Sequence, residues 1–280
     1  MIHRRFALES RLGEPIHGDL RLPDAPGPHP VVVVCHGFMG FKDWGFHPWL
    51  GERLAAAGLA AVHFNFSRSG VRTADGDIED LEAFGRNKLS IERDDLDTVL
   101  DAVVAGGLDP ALDPSRLGLL GHSRGGGIAL LGAAERREAK ALVTWAAVSH
   151  FDRIGDETVL AEWRRTGVYE VVNARTGQKL PMGVGFLDDV LGNLARLDLL
   201  AAARRLSAAW LLVHGSADET VPFAEAEELH GASGRRAVLF TLDGAGHTFG
   251  AVHPFAGPTP ELRDAAAATA ALLREALAAA

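Results

Sequence analysis

Four consecutive valines, Val31 to Val34, run directly into Cys35-His36-Gly37. β-Branched side chains are stiff at χ1 and favour extended backbone. A strand with one face in water alternates apolar and polar residues. An unbroken apolar run needs cover on both faces, which a parallel sheet flanked by helices supplies. This run sets the expected fold class: a mostly parallel, doubly wound α/β sheet with helices on both sides.

The rest of the chain keeps the same rhythm. "HRRFALES" and "PIHGDLRL" read as two short strands, and the breaker "PDAPGPHP" separates them from the valine run. "HPWLGERLAAAG" predicts an amphipathic helix closed by Gly58, and "LAAVHFNF" the next buried strand. "SRSGVRTADGDIED" is a polar loop. "LSIERDDLDTVLDAVVAGG" is a helix with Ser90 as its N-cap. Strand "RLGLLGHS", helix "RGGGIALLGAAERREA" and strand "AKALVTWAAVSH" follow. Residues 151–198 break the pattern with short helical pieces, scattered aromatics and a turn at "NARTGQK". Regularity returns with strand "AAWLLVHG", helix "FAEAEELHG", strand "RAVLFTLD" and an Ala-rich helix from about 260 to 279. Since sheet elements resume, residues 1–280 read as one domain, with 151–198 inserted in it as a cap or lid.

Charge and cysteine content narrow the partners. A net charge of -9 with no basic stripe argues against nucleic acid. The mixed-sign stretch Glu135–Lys140 reads as a solvated helix face. Cys35 is the only cysteine, which excludes a disulfide framework, and its place in the valine strand makes it a small buried apolar residue. The start, "MIHRRFALES", has no apolar core of a signal peptide, and no apolar run approaches a membrane span. The expectation is a soluble, cytoplasmic protein. No His and carboxylate set has metal-ligand spacing such as His-Glu-x-x-His, so no metal is expected.

The candidate chemistry begins at Gly121-His122-Ser123-Arg124-Gly125. This fits Gly-x-Ser-x-Gly, and it lies between a predicted strand and a predicted helix, the setting of a nucleophile elbow. Glycines at a strand–helix junction also serve close packing, so the serine alone decides nothing. A serine hydroxyl needs a base to take its proton. The elbow motif then asks for an acid and a histidine, in that order, each past a later strand. Asp218 follows "WLLVHG" and His247 follows "VLFTLD". Asp243 is a rival acid but sits on the strand end that bears His247; His253 is a rival base, but Pro254 constrains its loop. Strand ends of a parallel sheet lie along one edge, where these distant residues can meet. Charge on a carbonyl oxygen needs backbone N–H donors. Arg124, after the nucleophile, and Phe38, in the loop after the valine strand, are the expected pair.

With these residues in place the chain resembles the α/β-hydrolase family. "HGFMG" at 36–40, "GHSRGG" at 121–126, "HGSADETVP" at 214–222 and "GAGHTF" at 244–249 carry the likeness. Within it, the chain is most similar to serine esterases related to cinnamoyl (feruloyl) esterases, to dienelactone-hydrolase-like proteins and to serine-aminopeptidase-like hydrolases. Dienelactone hydrolases proper carry a cysteine where this elbow has Ser123. The resemblance implies a Ser123–His247–Asp218 triad under a cap, an acyl-enzyme intermediate, a small-molecule ester substrate and no cofactor.

Trp44, His150, Trp163, Tyr169 and Phe186 are the aromatic or amphipathic residues expected to line an acyl or aryl pocket; packing within the cap is the plainer role for each. His36, His122 and His214 are expected to brace backbone. The Arg124 side chain faces two readings, an acidic substrate group or a structural salt bridge. Thioester, peptide or amide cleavage, acyl transfer and a noncatalytic binding module stay open, as does a homodimer.

Overall fold

A computed structural model describes residues 1–72 and 78–278. The chain opens with strands β1 (Ile2–Glu9), β2 (Pro15–Leu22) and β3 (His29–Cys35), then α1 (His47–Ala56), β4 (Ala60–Phe64), α2 (Leu81–Gly85) and α3 (Leu89–Val104). β5 (Leu112–His122), α4 (Arg124–Glu135) and β6 (Ala139–Trp145) complete the first half. α5 (Glu157–Thr166), β7 (Val168–Val172), β8 (Lys179–Gly183), α6 (Val184–Gly192) and α7 (Leu199–Arg205) follow. β9 (Ala209–Gly215), α8 (Phe223–Ala232), β10 (Val238–Leu242) and α9 (Pro260–Ala276) end it.

Eight strands form one sheet in the order β1-β2-β4-β3-β5-β6-β9-β10. β1 and β2 pair antiparallel, as do β2 and β4; every neighbour from β4 to β10 is parallel. This is the α/β-hydrolase fold. The valine run explains itself here. Val31, Val33 and Cys35 enter the core shared with α3 and α4, while Val32 and Val34 enter the opposite core with α1 and α9. All four valines are at most 1% exposed, and burying each contributes roughly 2 kcal/mol.

Several elements differ from the sequence expectation. Lys88, not Ser90, is the N-cap of α3, and its side chain makes no cap bond. Ser90 instead gives its N–H and its hydroxyl to the Asp189 carboxylate, at 2.9 and 2.5 Å. A carboxylate from α6 thus caps α3 from outside. α4 stops at Glu135, so the Glu135–Lys140 stretch is no helix face; Arg136 turns back to pair with Asp97 and Asp101. β6 stops at Trp145, leaving 146–153 as a loop at the sheet edge. Between 151 and 198 the "NARTGQK" turn closes a two-stranded antiparallel hairpin, β7–β8, where only helical pieces were expected. The polar loop over 67–80 and the last helix fall partly outside the described residues, at 73–77 and 279. Among the described residues no helix is long and apolar enough to cross a membrane.

Candidate active site

Ser123 sits where β5 turns into α4, with φ 56° and ψ −125°. A non-glycine residue in that region is strained and persists only where its surroundings hold it. Its N–H donates to Trp145 O at 2.8 Å, and its carbonyl accepts from Gly126 N–H at 2.9 Å. The turn also needs bare backbone beside it. A Cβ at Gly125 would lie 2.2 Å from His36 O, and one at Gly121 would lie 2.2 Å from Gly125 O. Glycine is the residue these contacts permit.

The structure brings Ser123, His247 and Asp218 into one hydrogen-bonded chain. His247 Nε2 lies 3.0 Å from Ser123 Oγ, and His247 Nδ1 lies 2.8 Å from Asp218 Oδ2. An ionised carboxylate only accepts, so Nδ1 carries the proton and Nε2 is left to accept from the Ser123 hydroxyl. Asp218 Oδ1 accepts from Thr220 and Val221 N–H, both at 2.9 Å. His214 Nε2 stands 3.3 Å from Asp218 Oδ2 while bonding Val221 O at 2.8 Å. Burial alone would raise the Asp218 carboxyl, but bonds from His214, His247 and Val221 hold it well below the usual carboxylate range. The rivals are engaged elsewhere. Asp243 accepts from Ser216 Oγ at 3.1 Å, and His253 Nδ1 accepts from Gly45 N–H at 3.0 Å.

The neighbouring histidines bond backbone. His36 Nε2 accepts from Phe66 N–H at 3.3 Å, leaving Nδ1 to donate to Gly37 O at 2.9 Å. His122 Nε2 lies 3.0 Å from His247 O. Burial keeps both neutral, lowering His36 to about 4 and His122 to about 3. The Ser67–Gly70 stretch is tied down by its own partners: Ser67 N–H donates to Asp95 at 2.8 Å, and Arg68 pairs with Glu14.

Two cavities open on Ser123 and His247, and Phe38 and Met39 border both. The larger, about 600 Å³, takes walls from Arg124, His150, Trp163, Tyr169 and Phe186. Sequence reasoning missed Phe151, Val159, Val171 and Met182 in the same wall. No alternation in the hairpin marks Val171 or Met182, so no local signal would have found them. Trp163 is 2% exposed, donates to Met182 O at 2.9 Å and stacks on Phe186 at 6.2 Å, so it packs the 151–198 segment as well as lining the cavity. Trp44 stands apart from this cavity. It borders the smaller one, about 230 Å³, with His47, Thr248 and the hairpin-turn residues Asn173 and Arg175. His150 pairs at the rim with Glu228, 2.6 Å away.

The Arg124 side chain has a partner in the protein. Its Nη2 binds Glu92 Oε1 on α3, and its guanidinium lies 4.3 Å from the Phe38 ring centroid. Glu92, 2% exposed, also accepts from Asn87 Nδ2 at 2.7 Å. Burial pushes the Glu92 carboxyl up and the Arg124 guanidinium down, each against the other's pull. Of the two readings of this arginine, the structure realises the salt bridge. Phe38 follows β3 in the loop ahead of Met39, and Arg124 is the first residue of α4, where backbone N–H groups lack intrahelical acceptors. Among the described residues, no cluster of His, Cys, Asp and Glu is placed to hold a metal ion.

A model of the dienelactone hydrolase family matches residues 16–157, half of the chain. An uncharacterised 31.7 kDa protein of the traX-finO intergenic region of Escherichia coli is 27% identical over 144 residues, which is 51% of this chain and 46% of that protein. The 2,6-dihydropseudooxynicotine hydrolase of Paenarthrobacter nicotinovorans is 28% identical over 154 residues, 54% of this chain and 37% of that one. The chain thus spans about half or less of the length of these curated relatives. In fold it is similar to Est1E from Butyrivibrio proteoclasticus, with a TM-score of 0.69 at 20% identity, covering 98% of this chain and 99% of the other.

Proposed function

The chain belongs to the dienelactone hydrolase family, and on that premise we propose that it is a serine hydrolase of small-molecule carboxylic esters. The observation that carries this reading is His247, bonded at once to Ser123 Oγ at 3.0 Å and to Asp218 at 2.8 Å.

In this reading Ser123 Oγ attacks the ester carbonyl while His247 Nε2 takes its proton. Asp218 holds the imidazole in the required tautomer and stabilises its charged form. The Phe38 and Arg124 backbone N–H groups receive the oxyanion, helped by the positive end of α4. His247 then protonates the departing alcohol. Water repeats the sequence on the acyl-enzyme and frees the acid.

Residues 151–198 act as a cap within a single domain. The larger cavity takes the bulky apolar side of the ester, and the smaller one, under the hairpin turn, takes the other side. No cofactor enters these steps.

The test is the initial rate on p-nitrophenyl butyrate for the wild type and Ser123→Ala. The expected loss is on the order of 10⁴-fold or more, with an unchanged circular dichroism spectrum. A fluorophosphonate is expected to label the wild type and not the variant. A Ser123→Ala protein that hydrolyses at the wild-type rate removes the reading.

A further inference from the structure

The two residues offered as oxyanion donors are joined through their side chains, not only by their place at the sheet edge. The Arg124 guanidinium lies 4.3 Å from the Phe38 ring centroid, and Phe84 stacks on Phe38 at 5.7 Å. Phe38 is therefore braced by Phe84 as well as by the cation. Its loop is a single turn closed by one backbone bond, Gly40 N–H to Gly37 O at 3.1 Å, and the next residue, Met39, has φ 56°, so side-chain packing has to steady what that one bond leaves free. The cation is in turn anchored by Glu92, which Asn87 holds at 2.7 Å.

We propose that Glu92 is a positioning residue for the oxyanion site: by anchoring the Arg124 guanidinium against the Phe38 ring, it fixes both backbone donors at once. The inference rests on the serine-hydrolase reading above.

Two physical points favour this role over others. A buried ion pair is seldom more stable than an apolar pair of the same volume, so stability alone gives little reason to keep one on the cavity wall. Paired to Glu92, Arg124 is also largely neutralised, which suits it poorly to draw in an anionic substrate. What the pair does supply is direction. Oxyanion donors work only within a few tenths of an ångström of 2.7–3.1 Å from the developing charge, a tolerance a loose loop misses. Without Glu92 the guanidinium loses its anchor and swings toward the cavity, releasing the Phe38 ring.

The experiment compares Glu92→Gln, Phe38→Leu and the wild type. The readouts are kcat and KM on p-nitrophenyl butyrate, and inhibition by butylboronic acid against inhibition by butyrate. The boronic acid adds to a serine Oγ as a tetrahedral anion and so reports on the oxyanion site; butyrate reports on ground-state binding. Both variants are expected to lose about tenfold to a hundredfold in kcat, with KM within about threefold. Boronic acid inhibition should weaken by the same factor, with butyrate unaffected. Phe38→Leu keeps the backbone N–H and an apolar side chain, and it decides the matter should Glu92→Gln not fold. If kcat and boronic acid inhibition stay within twofold while only the melting temperature falls, Glu92 is a structural partner and the proposal is wrong. Hydrolysis retained by Ser123→Ala would remove the underlying reading instead, whatever these variants do.

Discussion

The wall of the larger cavity comes from two regions built by different rules. The sheet edge contributes Ser123 and His247, with Asp218 behind them; all three are 17% exposed or less and bonded to one another or to backbone. The 151–198 segment contributes a helix, α5, in which Trp163 alone is buried, and a hairpin strand, β7, in which only Val171 is even half-buried. One region fixes atoms to tenths of an ångström. The other supplies an apolar surface whose details are far less constrained. The difference separates reaction from selectivity: the first is expected to change for every ester alike, the second with the size of the ester.

The largest effect should come from Asp218→Asn. It leaves the loop in place but reverses the bond to His247, and kcat should fall about 10³- to 10⁴-fold for acetyl and decanoyl esters alike. A loss confined to long acyl chains would erase the distinction between the regions. Next is Trp163→Ala, which removes the aromatic that Tyr169 and Phe186 pack against. About 3–5 kcal/mol of packing should go, loosening the 151–198 segment. KM for long or aryl esters should rise at least tenfold while the rate on p-nitrophenyl acetate holds. An equal loss on acetate would mean that the 151–198 segment also positions the reacting groups.

Acid should unfold the sheet region. His36, His47, His63 and His122 are all buried in it, and burial lowers each, His36 to about 4 and His122 to about 3, from 6.5 in the unfolded chain. A histidine folded in its neutral form contributes stability that is complete above pH 6.5 and drains away as pH falls. Burial raises Asp95 to about 6 and raises Glu92 as well, and carboxyls folded in their protonated form work against this drain. The four histidines outnumber the two carboxyls, so unfolding takes up protons near pH 5 and stability should fall as pH is lowered there. Urea titrations at several pH values measure this, and a midpoint constant from pH 7 to 5 contradicts it. The smallest effect expected is from Asp189→Ala, which removes the carboxylate that caps α3 from the inserted segment. A loss of about 1–2 kcal/mol is expected in thermal melts, with kcat on acetate unchanged.

The same contrast explains what could be read in advance. Buried strands such as the valine run carry a pattern that survives in sequence, because both faces must be apolar. Ser123 and Asp218 were legible because each follows such a strand, while His247 follows the edge strand β10, of which Leu242 alone is buried, and was legible from its place past the next hydrophobic run; the sheet then aligns the strand ends. The β7–β8 hairpin was not: of its ten residues Leu180 alone is buried, so no alternation marks it beyond its turn. Ser90 has the local chemistry of an N-cap, but the carboxylate that serves α3 is Asp189, 99 residues away, and no local signal encodes that. Trp44 was grouped with the cap aromatics by residue type; its stacking on His253, 6.2 Å away, places it beside the smaller cavity instead.

The order of the strands has a consequence for the life of the molecule. His247, the proposed base for Ser123, lies on the loop that follows β10, and among the described residues β10 is the outermost strand on its side of the sheet, pairing with β9. During synthesis the serine is therefore made, and its elbow shaped, long before anything can accept its proton. On the serine-hydrolase reading proposed above, the nascent chain is expected to stay silent toward esters until β10 docks.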